Sequence, residues 1–236
     1  TLTTEEFNVA FGSTRGYGSD DDGDAIKAPT DAIYKQFASL LLAPTEVTGG
    51  FVISSPGSDS AISTKDTEIY VLSARRSNMK DRLNKGTWQI NLSGSNSAGT
   101  SAPILHLKDD SSTTEATATP VGDRYNIVSC SSAGAIAGAA TLKNFGFFYP
   151  DMGVMVFSAA ELSSSIRGTA ANVDDVVIFD DATHQGFGYS SVVNANSKTA
   201  LRFVNCLQPN AASLTFRDEE DQGSAQYFCR ARSGQM

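Results

Sequence analysis

The chain has 236 residues, with 18 Lys and Arg against 26 Asp and Glu, and a formal net charge of −8 at pH 7. That length allows one large domain or two small ones, and a net negative chain with no local basic patch repels phosphate backbones, which argues against nucleic-acid binding. With 40% hydrophobic and 19% charged residues there is apolar material for a packed core, so wholesale disorder is excluded.

Residues 1–28 mix Gly12, Gly16 and Gly18 with the run Asp20-Asp21-Asp22-Gly23-Asp24 and read as an extended arm or loop. The clearest helix follows. Thr30 is placed to cap it, Asp31 sits in its first turn, and Ile33, Phe37, Leu40 and Leu41 form an apolar stripe that Pro44 ends. After a Gly/Ser/Pro loop at 48–66, Glu68–Leu72 reads as a strand, Arg75–Asn84 as a polar turn or short helix, and Thr87–Leu92 as a second strand. Short strands are then expected at Ile104–Leu107, Tyr125–Ser129, Phe145–Tyr149, Val154–Phe157, Val176–Phe179, Leu201–Cys206, Ser213–Arg217 and Gln226–Arg230. The Ala/Gly segment 131–140 reads as a loop lying on a neighbouring surface, or as a weak helix. The fold class is therefore mostly β (a β-rich α+β chain): antiparallel sheets or a sandwich, one amphipathic helix near the N-terminus and a short helix or turn around 75–84. Residues 29–236 form the β-rich domain. A start without Met and an end directly after a strand-like run suggest a piece of a longer chain.

Chemistry-bearing patterns are sparse. Cys130, Cys206 and Cys229 are widely spaced with no CxxC pair, which reads as reduced thiols, with one disulfide plus a free thiol as the alternative. If Gly23 were the glycine of an EF-hand loop, Gly18 would fill its first position and Pro29 its last, where Asp and Glu are required; Asp20–Asp24 reads as a solvated acidic loop. Asp218-Glu219-Glu220-Asp221 reads as an exposed hairpin turn. His106 sits on the polar side of a strand with no metal-ligand spacing, and His184 follows Asp180-Asp181 with no GxSxG elbow to supply a nucleophile. No phosphate-binding glycine loop is present. No apolar run reaches the roughly 18–20 residues that span a bilayer. The expectation is a chain that is not an enzyme, with no catalytic residues, cofactor or metal, no membrane or nucleic-acid partner and no small-molecule substrate.

The segment Phe145–Phe157 is apolar at nearly every position around the turn Pro150-Asp151-Met152-Gly153. Such a hairpin is buried on both faces, either as the central pair of its own core or under another subunit. Phe147, Phe148, Tyr149, Pro150, Met152 and Val154 are accordingly the candidate interface.

Several segments resemble a virion structural protein family of contractile-tailed phages of the T-even-like, marine and cyanobacterial type. They are Asp31–Pro44, Glu68-Ile69-Tyr70 with the basic turn before Gly86-Thr87-Trp88, Gly122–Ile127, Tyr149–Val154, Phe216–Glu220 and Tyr227–Arg230. The N-terminal acidic arm and segment 131–140 depart from the pattern. The resemblance implies a tail- or baseplate-associated structural component in the virion, whose partners are other virion proteins and copies of itself, with no catalytic residues to carry over. A carbohydrate- or receptor-binding fibre domain is the alternative, and it needs Trp88, Tyr17 or Tyr189 grouped on one surface.

Overall fold

A computed structural model describes residues 7–16, 29–46, 50–53, 65–92, 104–136, 138, 143–162, 200, 203–204, 206–207, 214 and 216–227. The chain is mostly β. Ten strands are described: β1 (Phe7–Ser13), β2 (Glu68–Ala74), β3 (Arg82–Leu83), β4 (Ile90–Leu92), β5 (Leu105–Asp109), β6 (Thr117–Thr119), β7 (Gly122–Cys130), β8 (Asn144–Tyr149), β9 (Val154–Ser158) and β10 (Asp218–Glu219). Eight of them build one antiparallel sheet in the order β1-β2-β9-β8-β7-β5-β4, with β6 on the first part of β7, while β3 pairs with β10. One helix, α1 (Pro29–Leu41), lies between β1 and β2 in the chain.

Strand alternation sends successive side chains to opposite faces, and both faces are apolar where the strands are central. Tyr70 and Leu72 of β2, Phe148 of β8 and Met155 and Phe157 of β9 point into one cluster with Phe11, Trp88, Ile90, Ile127 and Phe203. Ile69 and Val71, Phe147 and Tyr149, Val154 and Val156 point into the other, against Tyr34, Ala38, Leu41, Phe51 and Ile53. A shift of register between Ile127 and Val128 bulges β8, so Phe145 joins the first cluster instead of following Phe147. Asp110 satisfies the main chain there: it accepts from Asn126 N at 2.9 Å and Asn126 Nδ2 at 2.8 Å.

The helix packs through a different stripe from the expected one. Tyr34, Ala38 and Leu41 are buried, Ile33 and Phe37 are half-buried, and Leu40 is 42% exposed. The cause is close approach. A Cβ on Gly12 would stand 3.0 Å from both Cα and N of Tyr34, so the glycine lets the helix backbone settle on β1 and turns the face bearing Tyr34 and Ala38 inward.

Other differences are local. Within the expected arm, Phe7–Ser13 is a full strand, paired from Phe7↔Ala74 to Ser13↔Glu68. The 75–84 stretch is a 3-10 turn at Arg76–Asn78 followed by β3. In the expected strand 201–206, the described residues Phe203, Val204 and Cys206 are helical. Phe203 and Cys206, three apart, are buried, and Val204 is exposed, which is a helical spacing. The 213–217 and 226–230 strands reduce, among the described residues, to a single bridge at Leu214 and to irregular chain at 226–227. Segment 131–136 is a turn, with Ile136 bridging back to Cys130. The Val176–Phe179 strand lies outside the described residues, as do the Asp20–Asp24 run, Tyr17, His184, Tyr189 and Cys229.

Candidate interaction site

The six hairpin residues expected at an interface are placed by β8 and β9 in the middle of the sheet. Phe148 and Tyr149 are fully buried, Phe147 and Val154 are nearly so, Pro150 is buried and Met152 is half-buried, all by the chain's own atoms. Phe148 meets Trp88 edge-on on one face. On the other, the Arg124 guanidinium stands 4.4 Å from the Phe147 ring centroid and 3.9 Å from Glu46 Oε1. Burial pushes the Tyr149 phenol up to about 12 against the pull of Arg124. The turn closes tightly, with Gly153 N–H donating to Pro150 O at 3.1 Å and Gly153 at φ 65°. The hairpin is therefore core, and it is not presented to a partner.

A polar cluster with the half-buried Asp66 at its centre sits where β2 begins. Asp66 Oδ2 accepts from Ile53 N at 2.8 Å, and its Oδ1 accepts from the Ser158 hydroxyl of β9. The Tyr34 hydroxyl of α1 donates to Asp66 O at 2.6 Å and accepts from Phe51 N at 3.0 Å. Beside them, Glu68 accepts from Thr67 Oγ1 and from Ser13 Oγ at 3.4 Å. Burial raises the Asp66 carboxyl to about 6, with the Ser158 and Ile53 hydrogen bonds opposing that rise and the negative charges of Glu161 and Glu68 adding to it. Burial likewise raises Tyr34 to about 12. A groove of about 600 Å³ runs alongside, lined by Thr14, Ala32, Tyr34, Lys35, Gly50 and Thr67 among others. Both Asp66 carboxylate oxygens are already engaged within the protein, so this cluster ties α1, β2, β9 and the 50–53 segment together and turns no acid or base toward the groove.

The second groove, of about 470 Å³, lies at the other end of β1. Phe7, Met79, Leu83, Leu214 and Phe216 give it an apolar wall, and Arg75, Arg217 and Asp218 stand at it. Phe216 holds the wall by packing on Phe7 and Trp88, with ring centroids 5.0 and 5.4 Å apart. The acidic run expected as an exposed turn is instead the partner of the basic turn: Lys80 pairs with Glu220 at 2.6 Å, and Arg82 with Glu219 at 3.0 Å and Asp221 at 2.7 Å. These contacts register β10 on β3. They consume three of the four acids of 218–221. Arg75 and Arg217 have no carboxylate partner among the described residues.

The remaining candidates stand apart from either groove. His106 Nδ1 is 2.6 Å from Asn91 Oδ1 and 3.1 Å from Gln89 Nε2, a polar row across β4 and β5. Cys130, opposite His106 in the register, and Cys206 are thiols outside any disulfide, and burial raises the Cys130 thiol. Trp88 is 2% exposed, which removes it from any sugar-stacking surface. No three His, Cys, Asp or Glu among the described residues could hold a metal ion, and no helix among them is long and apolar enough to cross a membrane.

The chain matches no family model, no curated protein and no solved structure. Among the described residues, β1 lies at the end of the sheet order, beside the groove of about 470 Å³.

Proposed function

We propose that this chain is a non-enzymatic structural component of a bacteriophage virion, of the contractile tail or its baseplate, acting through repeated protein–protein contacts. The observation that carries the reading is where the family-like segments fall. They fall on α1, the start of β2, the first part of β7, the β8–β9 turn and β10, that is, on regular elements and a tight turn, and this supports reading them as parts of a scaffold. The chemistry is compatible with that role: the half-buried Asp66 and the buried Glu68 are spent on internal hydrogen bonds, and among the described residues a strand edge lies beside an apolar groove. Closed particle symmetry repeats each contact, so a modest interface gains strength through multivalency. The fibre alternative loses Trp88 to the core, and no other observation favours it.

The test is mass spectrometry of purified particles of the phage that encodes the chain, followed by electron cryomicroscopy to locate it. The expected result is a fixed copy number per particle, at the tail or baseplate. Absence from particles, with the chain found only in infected-cell extract, overturns the reading.

A further inference from the structure

The two edges of the sheet are treated differently. At one, β4 is covered: Ile90 and Leu92 bridge to Leu214 and Leu207. At the other, no described residue bridges to the first half of β1. Thr14 N–H donates to Thr67 O, and antiparallel pairs alternate, so the main-chain groups of Asn8, Ala10 and Gly12 bond β2 while those of Phe7 and Val9 point outward. Phe11, Gly12 and Ser13 are buried, but Asn8 is exposed and Phe7, Val9 and Ala10 are half-buried. The N–H and C=O groups of Phe7 and Val9 find no hydrogen-bond partner among the described residues. The strand also lacks the usual protections of an edge. Phe-Asn-Val-Ala-Phe-Gly-Ser holds no charge and no proline, and its pairing with β2 runs from Phe7 to Ser13 without a bulge.

The groove of about 470 Å³ continues from the Phe7 end of this edge. Its wall offers an apolar seat over Met79 and Phe216, and Arg75 and Arg217 are exposed at it with no carboxylate partner among the described residues. Among the described residues, Glu219, Glu220 and Asp221 are paired with Arg82 and Lys80, and Asp218 lines the groove beside the two arginines without an ion pair to either.

We propose that β1 is a strand-addition site for an extended acidic segment of another protein. Its main chain pairs with Phe7 and Val9, one apolar side chain enters the groove over Met79 and Phe216, and its carboxylates face Arg75 and Arg217. Charge complementarity selects this occupant over a second copy. Two β1 strands paired antiparallel about Val9 set Phe11 opposite Phe7, so the run that continues past the groove is Phe11–Arg15, which brings no acid. The inference gives the proposed assembly role a kind of partner, yet it is tested separately: peptide binding and presence in particles can each fail while the other holds.

The probe is a fluorescein-labelled octapeptide, Glu-Glu-Phe-Thr-Val-Thr-Val-Thr, titrated against the full chain by fluorescence anisotropy. Beside it run a version with both Glu changed to Lys and a version N-methylated on alternate amides. The acidic peptide is expected to bind, and the Lys and N-methyl versions to bind at least about tenfold more weakly. The double variant Arg75→Glu/Arg217→Glu, at two exposed positions, is expected to lose that preference for acid while keeping the wild-type melting temperature. Val9→Pro removes an outward N–H that β2 does not use, and it should abolish binding; the N-methyl peptide makes the same test with the chain unaltered. Failure of the acidic peptide to bind overturns the proposal, and so does equal binding of the acidic and basic versions. A dimer seen by light scattering without peptide and lost in Val9→Pro assigns the edge to a second copy, which also overturns it.

Discussion

Replacing Asp66 with Asn tests whether a half-buried, desolvated carboxylate carries a pH-dependent cost in this fold. Burial raises the carboxyl from 3.8 to about 6, and the other acids facing it are Glu68 and Glu161. The folded chain therefore holds the proton more tightly than the unfolded one. Stability from this group is fully present below about pH 4 and falls as pH rises toward 6, then stays level. About two pH units at about 1.4 kcal/mol each give about 3 kcal/mol lost at neutral pH relative to the protonated form. The asparagine amide keeps the shape of the protonated acid: its oxygen can accept from Ile53 N, 2.8 Å from Asp66 Oδ2, while its NH2 donates to the Ser158 hydroxyl. Urea unfolding of both chains from pH 4 to pH 8 is the assay, with the difference between them as readout so that other titrating groups cancel. The variant is expected to be about 1–3 kcal/mol more stable at pH 8, with the gain shrinking toward zero at pH 4. A difference that does not change with pH, or a variant less stable than wild type at pH 8, refutes the assignment.

Tyr34→Phe removes the hydroxyl that joins Asp66 O and Phe51 N, and it should cost about 1–3 kcal/mol in the same urea assay because Phe51 N is left buried without an acceptor. Leu41→Ala should cost about 2–5 kcal/mol, whereas Leu40→Ala, one residue earlier and 42% exposed, should stay within about 0.5 kcal/mol; equal losses would show that the helix packs through its sequence stripe after all. Phe148→Asp puts a charge between Trp88 and the rest of the core, and circular dichroism is expected to show an unfolded or aggregated chain. A folded Phe148→Asp monomer that merely fails to assemble would return the hairpin to the surface.

How much of the fold is legible in the sequence depends on what each signal measures. Alternating or continuous apolar runs locate β2, β4, β5, β7, β8 and β9 to within a few residues, because burial on a sheet imposes a period of two whatever the neighbours are. β1 carries the same signal in Phe7, Val9 and Phe11, but the glycines and acids after it draw the reading toward a loop. The apolar content of 201–206 suggests a strand, although Phe203 and Cys206 stand three apart. The stripe on α1 locates the helix but not its orientation. Gly12 and Ala38 decide that by being small, and a hydrophobic stripe gives weight to Leu40 and Phe37 instead. The pairing of Lys80 and Arg82 with 219–221 spans about 140 residues, and no local pattern announces it. The Asp66 cluster is hidden for the same reason: Ile53, Asp66, Ser158 and Tyr34 meet only once the sheet is assembled.

The hairpin 145–157 shows where such reasoning needs a second step. Its continuous apolarity correctly requires cover on both faces, but apolarity says nothing about who supplies the cover. In a sheet of eight strands the central pair is the place where one chain can cover both faces itself, with α1 and Phe51 on one side and Trp88 and Phe203 on the other. A sheet keeps its reach toward other chains at its rim, where main-chain groups run out of partners. That liability is written in what a sequence omits. Lys, Pro and Asp are missing from Phe7–Ser13, and an omission leaves no periodicity to detect. From the interior outward, the apolar hairpin fixes which strands are central, and their pairing fixes β1 as an edge. The unprotected composition of β1 is then the reason we propose the contact surface there, where apolarity alone points to the hairpin.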